Sequence, residues 1–280
     1  MHPCSLKYLS ACADPFAMHS GVCMPIGEVL DSQKVRCTAR GVMSVGVNGL
    51  GWIEVGTPFY SGHASINYTT PTYTGFPNSI INYAGSLASG QVQAATIMGP
   101  PLAGSTTTGV FAARHVLSAL RVRYIGTELN RGGRVIKFVD REDDNVDNMD
   151  TASIISRPHC KIEPVDRRWH TVRWTSSDPT VLDFTSEPAY ATVLSQKNRN
   201  AVYNNARNMF IAVTGTQGNE FEWEFVSYQE YRYNLAQQLW TPSHADTVGG
   251  ATVTAAVSTP KVDVGDATFE GIVKKVETIS

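Results

Sequence analysis

The chain has 280 residues, 42% of them hydrophobic and 17% charged, with a mean hydropathy of −0.15. That is a globular composition, long enough for one large domain or two small ones. The formal net charge of −2 gives no general basic character of the kind that advertises nucleic-acid binding. No apolar run approaches the ~20 residues needed to span a bilayer, and residues 1–17 lack the pattern of a secretory leader.

Residues 5–13 place Leu6, Leu9, Cys12 and Ala13 at helical spacing, and Asp14-Pro15 ends the pattern. A short amphipathic helix lying against the main body is expected there, with an irregular stretch after it. The first strand is expected over 32–45. Lys34, Arg36, Thr38 and Arg40 alternate with Val35, Cys37 and Ala39, the period-two pattern of one wet and one buried face. A turn beginning at Asn48-Gly49 leads into a second strand over 49–55.

Residues 56–113 contain no Asp, Glu, Lys or Arg. One reading is a long excursion packed on its own domain. The other is a surface buried against further copies of the chain, since interface cores are depleted in charge. On the second reading Tyr68, Tyr73, Ile80 and Tyr83 are the subunit-contact residues.

The stretch 120–140 holds two strand-like runs. Leu120, Val122 and Tyr124 alternate with Arg121 and Arg123, and the second run covers 134–139. The link between them carries Asn130, Gly132 and Gly133, which tolerate positive φ. The pair fits a hairpin or a turn between two different sheets. Asp140, Glu142, Asp143, Asp144, Asp147 and Asp150 follow. They read as a solvated loop with acids before a short helix near 148–155, or as a calcium site. In the second case Asp140, Asp143, Asp144 and Asp147 supply oxygen ligands that a neighbouring subunit completes, with spacing unlike an EF-hand.

Four more strands are expected at 160–165, 169–174, 209–214 and 221–233. The last sets Phe221, Trp223 and Phe225 against Glu222 and Glu224. Residues 175–208 suggest no firm structure. From Leu235 the chain loosens, closing on an amphipathic segment with Phe269, Ile272, Val273 and Val276 on one face. Eight antiparallel strands with long links fit an all-β, eight-stranded jelly-roll β-sandwich with short helices in connections and at the termini. That topology makes strands one, eight, three and six neighbours in one sheet. The acidic eighth strand then lies between two basic ones, a favourable cross-strand arrangement.

The sequence offers no catalytic constellation. His63, His115 and His170 stand alone, and there is no G-x-S-x-G, P-loop or G-x-G-x-x-G pattern. A non-enzymatic protein is expected, with no required cofactor beyond the candidate calcium. The five cysteines are odd in number and include no C-x-x-C, so reduced thiols and no structural zinc are expected. Local phosphate contacts are assigned to Lys274, Lys275, Arg199 and Arg207.

Ser32-Gln33-Lys34-Val35-Arg36 with Arg40-Gly41, and the run Leu120 through Gly133 (LRVRYIGTELNRGG), resemble capsid proteins of small non-enveloped icosahedral RNA viruses of the nodavirus-like and tombusvirus-like group. Leu9 through Phe16 (LSACADPF) is similar to the stretch before their first shell strand, and 144–152 to the short helix after the fourth. The resemblance implies a shell protein that self-assembles around genomic RNA, is assembled in the host cytoplasm and resides in the virion. It implies an N-terminal arm over 1–31, a jelly-roll shell domain over 32–234 and a tail over 235–280, without a protruding domain. The strongly basic arm usual in such capsids is missing, so only weak RNA binding is expected of this chain. The rival is a carbohydrate-binding β-sandwich, with Trp52, Phe59, Tyr60, Tyr68 and Tyr73 as candidate groove aromatics.

Overall fold

A computed structural model describes residues 3–25, 31–57, 65–69, 91–93, 111–140, 155–157, 159–175, 185–186, 207–233 and 241–242. It contains helix α1 (Pro3–Ala13) and strands β1 (Asp31–Ser44), β2 (Leu50–Thr57), β3 (Ser65–Tyr68), β4 (Gln91–Gln93), β5 (Phe111–Tyr124) and β6 (Arg134–Asp140). The remaining strands are β7 (Lys161–Pro164), β8 (His170–Thr175), β9 (Thr185–Ser186), β10 (Arg207–Thr214), β11 (Glu220–Tyr233) and β12 (Thr241–Pro242).

Two antiparallel sheets face each other. One runs β12-β1-β11-β5-β8 with β9 beside β5, and the other β4-β3-β2-β10-β6-β7. The eight strands expected from sequence are β1, β2, β5, β6, β7, β8, β10 and β11. The expected order one, eight, three, six is the observed β1-β11-β5-β8. The two-residue β12 pairs with Asp31 and Ser32, so the chain beyond Tyr233 returns to the first sheet.

Period-two alternation builds the core. Cys37, Met43, Leu120, Val122, Tyr124, Val172, Trp174, Phe221, Trp223 and Phe225 point inward from the first sheet. Ile53, Val55, Val135, Met209, Ile211 and Val213 meet them from the second. Gly41 lies opposite Trp223 in register. A Cβ at Gly41 would come within 2.6 Å of Trp223 Cζ2, so the glycine makes room for the indole.

The third expected strand is longer than its sequence signal, starting at Phe111 rather than at 120. Its first half breaks alternation at a β-bulge: Tyr228 faces Leu117, Gln229 faces His115, and Val116 is the extra residue. Arg114, His115, Val116 and Leu117 are all buried, which erases the wet face that periodicity would detect. The 126–133 link joins β5 in one sheet to β6 in the other, so it is not a hairpin. Gly133 has φ +108°, and a Cβ there would overlap the Thr214 carbonyl. The thiol expectation is corrected: Cys4 and Cys23 form a disulfide between α1 and the segment after it, while Cys12, Cys37 and Cys160 remain thiols. Their sequence separation of 19 hid the pairing, because only the fold of the arm brings them together.

Candidate assembly surfaces

Four tight connections gather at one end of the sandwich: 45–49, 125–133, 165–169 and 215–219. Main-chain bonds tie them into one block. Gly215 N–H donates to Gly49 O (3.0 Å), Gly218 N–H to Val45 O (2.9 Å) and Val165 N–H to Gly133 O (3.3 Å). The Asn219 side-chain amide donates to Asn130 O (3.0 Å), and Arg167 spans to Glu128 (2.8 Å). This rigid end exposes Val47 (48%), Ile125 (42%) and Leu129 (95%), beside the charged Glu128, Arg131, Arg167 and Arg168. Exposed apolar groups rimmed by charge on a fixed scaffold are the chemistry of a protein contact.

The outer face of the first sheet carries the charge. β1 contributes Lys34, Arg36 and Arg40; β5 contributes Arg114, Arg121 and Arg123; β8 contributes Arg173; β11 contributes Glu222, Glu224 and Glu230. Arg123 Nε donates to Glu222 (2.7 Å) and Arg121 Nε to Glu224 (2.8 Å), the cross-strand pairing expected from the sequence. Arg40 faces Glu224 in register from the other side and is exposed. Arg114 and Glu230 form an ion pair sealed from solvent.

The N-terminal arm lies on the middle of this face through its helix, but the stripe differs from the expected one: Leu6 is exposed, and Cys4, Tyr8, Leu9, Ala11 and Cys12 form the buried side. Tyr8, Leu9, Ala11, Cys12, Val22 and Met24 pack against Val116, Leu117, Ala119, Val226 and Tyr228. Polar clasps hold it. The Tyr228 hydroxyl donates to Pro15 O (2.9 Å), Arg36 donates to Phe16 O (3.2 Å), and Arg173 donates to Cys12 O at the helix C-terminus (3.1 Å). The Arg121 guanidinium lies 3.9 Å from the Phe16 ring centroid and 4.2 Å from that of Trp169.

The outer face of the second sheet is different. Leu50, Trp52, Ile136, Phe138, Phe210 and Ala212 form a buried apolar cluster. Phe138 and Phe210 face each other in register, with ring centroids 5.2 Å apart.

One polar cluster escaped the sequence reading, which took His170 as isolated. His170 on β8 is 5% exposed, and its Nδ1 lies 2.6 Å from Glu163 Oε2 on β7, joining the edges of the two sheets. Its Nε2 lies 3.1 Å from Asp166 Oδ1 but out of line for a hydrogen bond. Lys137 Nζ lies 2.6 Å from Glu163 Oε1. Burial pushes the Glu163 carboxyl up, yet its hydrogen bonds to Lys137 and His170 outweigh that and hold it below its ordinary value. Burial likewise works upward on Asp166, and the Arg168 side chain, the Arg168 N–H and His170 together bring it down. Deeper in the core, burial holds the His115 imidazole down to about 3. It stacks on Trp174 at 4.1 Å beside Ser118 and Ser227. The His115 cluster joins strands far apart in sequence, whereas Glu163 and Asp166 lie only seven and four residues before His170, so that pairing is local.

Of the expected contact residues, Tyr68 is half-buried with its ring 5.5 Å from that of Trp223, packing against the core. Tyr73, Ile80 and Tyr83 lie outside the described residues. So do Asp143, Asp144 and Asp147 of the candidate calcium site, and Lys274, Lys275 and Arg199 of the phosphate contacts. Asp140 is the last residue of β6 and pairs in register with Asn208, next to Arg207 at the start of β10. One member of each set thus stands at the same end of the second sheet. Among the described residues, no three His, Cys, Asp or Glu side chains are placed to hold a metal. Trp52 is buried in the apolar cluster and Tyr68 against Trp223, so neither lines an open aromatic groove.

No protein-family model matches the sequence, and no curated protein sequence matches it. Solved structures do. A chain from the infectious bursal disease virus Gx strain shares 9% identity over 98% of this chain and 100% of that one, with a TM-score of 0.50. A chain from the semi-empty virus-like particle of giant freshwater prawn Macrobrachium rosenbergii nodavirus shares 11% identity over 78% and 94%, TM-score 0.37. One from mud crab tombus-like virus shares 10% over 80% and 90%, TM-score 0.35. The first likeness and the strand order define the fold: an eight-stranded antiparallel jelly roll, extended by short additional strands.

Proposed function

We propose that this chain is the capsid shell protein of a small non-enveloped icosahedral virus, a structural protein whose work is self-assembly around a genome. One observation carries the reading: a complete jelly roll in β1-β11-β5-β8 order that aligns over nearly its whole length with a virus chain. The loop end supports it. Four connections locked into a block present exposed Val47, Ile125 and Leu129, and fixed, self-complementary contacts are what closed symmetric assembly requires. Residues 56–113, without a charged side chain, are proposed to add contacts around Tyr73, Ile80 and Tyr83. Asp140, Asp143, Asp144 and Asp147 are proposed to bind calcium between subunits. Assembly is assigned to the host cytoplasm and the product to the virion.

Size-exclusion chromatography with negative-stain microscopy of the purified chain tests this. Particles in the megadalton range are expected; a stable 30.5 kDa monomer under all salt and pH conditions would reject the reading. Leu129→Asp should stop assembly and leave a folded subunit. Particles that ignore chelator at neutral pH would remove calcium from the proposal.

A further inference from the structure

The net charge of −2 conceals a separation of charge. The described residues hold 17 of the 23 Lys and Arg and 11 of the 25 Asp and Glu, so these strands and links carry a cationic excess. Seven Lys and Arg stand on the outer face of the first sheet, where they meet Glu220, Glu222, Glu224 and Glu230. The outer cluster of the other sheet is apolar. Three of the seven form ion pairs across the strands: Arg121 with Glu224, Arg123 with Glu222 and Arg114 with Glu230. The surplus therefore rests on β1 and β8. Arg40 is exposed and faces Glu224 in register. Arg173 is exposed at the end of α1, spending one N–H on Cys12 O, with Asp14 the nearby acid. Lys7 of α1 is exposed as well.

We infer that this face, centred on Arg40 and Arg173, is the chain's binding surface for single-stranded nucleic acid, held through its phosphates. The inference rests on the shell-protein reading for the identity of the polyanion. Charge complementarity selects the occupant: guanidinium groups fixed on rigid strands match phosphate oxygens. The flanking Arg121 and Arg123 keep their carboxylate partners, so the contacts are few and readily released by salt. The face reads backbone rather than sequence.

The test is binding of a fluorescent single-stranded RNA oligomer to the full, dispersed chain across a salt series. Each phosphate contact contributes a slope of about 0.7 in log K against log salt. Arg40→Gln should lower the slope by about that amount, Arg40→Lys should restore it, and Lys161→Gln on the edge of the other sheet should leave it unchanged. Arg173→Gln should act like Arg40→Gln, with circular dichroism checking that the arm still docks. Wild-type binding that Arg40→Gln and Arg173→Gln both leave intact would overturn the inference. So would RNA displaced by a peptide of residues 140–150 with higher affinity, which would assign the face to the acidic stretch of another copy. Particle formation is scored separately. Arg40→Gln should still assemble, with a lower 260/280 nm absorbance ratio after nuclease. A wild type that binds RNA but never forms particles would reject the shell reading alone.

Discussion

The two outer faces of the sandwich obey opposite rules. On the first sheet, β1 and β11 alternate, and apart from the exposed Val42 the outward residues are charged, polar or covered by the arm. On the second, β2, β6 and β10 send Trp52, Phe138 and Phe210 outward into a buried cluster while Ile53, Val139 and Ile211 turn to the core. A sheet with one solvated face keeps period two in its sequence; a sheet buried on both faces reads as a continuous apolar run. The difference teaches where each sheet belongs. The first remains a surface, carrying an arm and a charge ladder. The second keeps an apolar cluster buried on its outward side as well.

The strongest way to break this contrast is to hollow the apolar face. Phe210→Ala should cost about 3–5 kcal/mol, read as a shift in urea unfolding of the dispersed subunit. A loss below 1 kcal/mol would mean that face is not packed. The charged face has its own buried element, the Arg114–Glu230 pair. Removing one partner with Arg114→Met strands a carboxylate and should cost about 3–5 kcal/mol, whereas the double change Arg114→Met with Glu230→Leu should recover most of it. Failure of the double variant to recover would show that the pair matters for more than mutual neutralisation.

Between the faces lies His115, neutral when folded because burial holds it down to about 3. The unfolded chain takes up a proton near pH 6.5 that the folded chain refuses, so stability falls as pH drops below that value. Going from pH 7 to 5 should cost about 2 kcal/mol, and His115→Asn should remove most of that dependence. Glu163 and Asp166 act lower. Their depressed carboxyls stabilise fully above the ordinary carboxylate range, and that contribution is lost as pH falls through their folded values. A pH profile identical in wild type and His115→Asn would place the proton uptake elsewhere. The smallest expected effect concerns the arm. Tyr228→Phe removes the donor to Pro15 O and should cost about 1 kcal/mol. It should appear first as faster proteolysis near residues 15–20, with the core unchanged.

Much of this protein is legible in its residues. The alternation at Lys34–Arg40 and Leu120–Tyr124, and the Glu222/Glu224 stripe, set strand identity and the order β1-β11-β5-β8. They do so because side chains project every second residue and opposite charges seek adjacent strands. The helix of the arm was equally plain, its apolar spacing ended by a proline. Tertiary structure alone decided the rest. It carried β5 back to Phe111 through a bulge that buries both faces. It set the 126–133 link between two sheets, and it joined Cys4 to Cys23. It brought Lys137, Glu163 and His170 into one cluster, and it set Arg173 of β8 against the end of the arm's helix. Periodicity is local and each strand carries its own. Contacts between strands a hundred residues apart, and the sign of the surface they share, exist only once the sheets have closed.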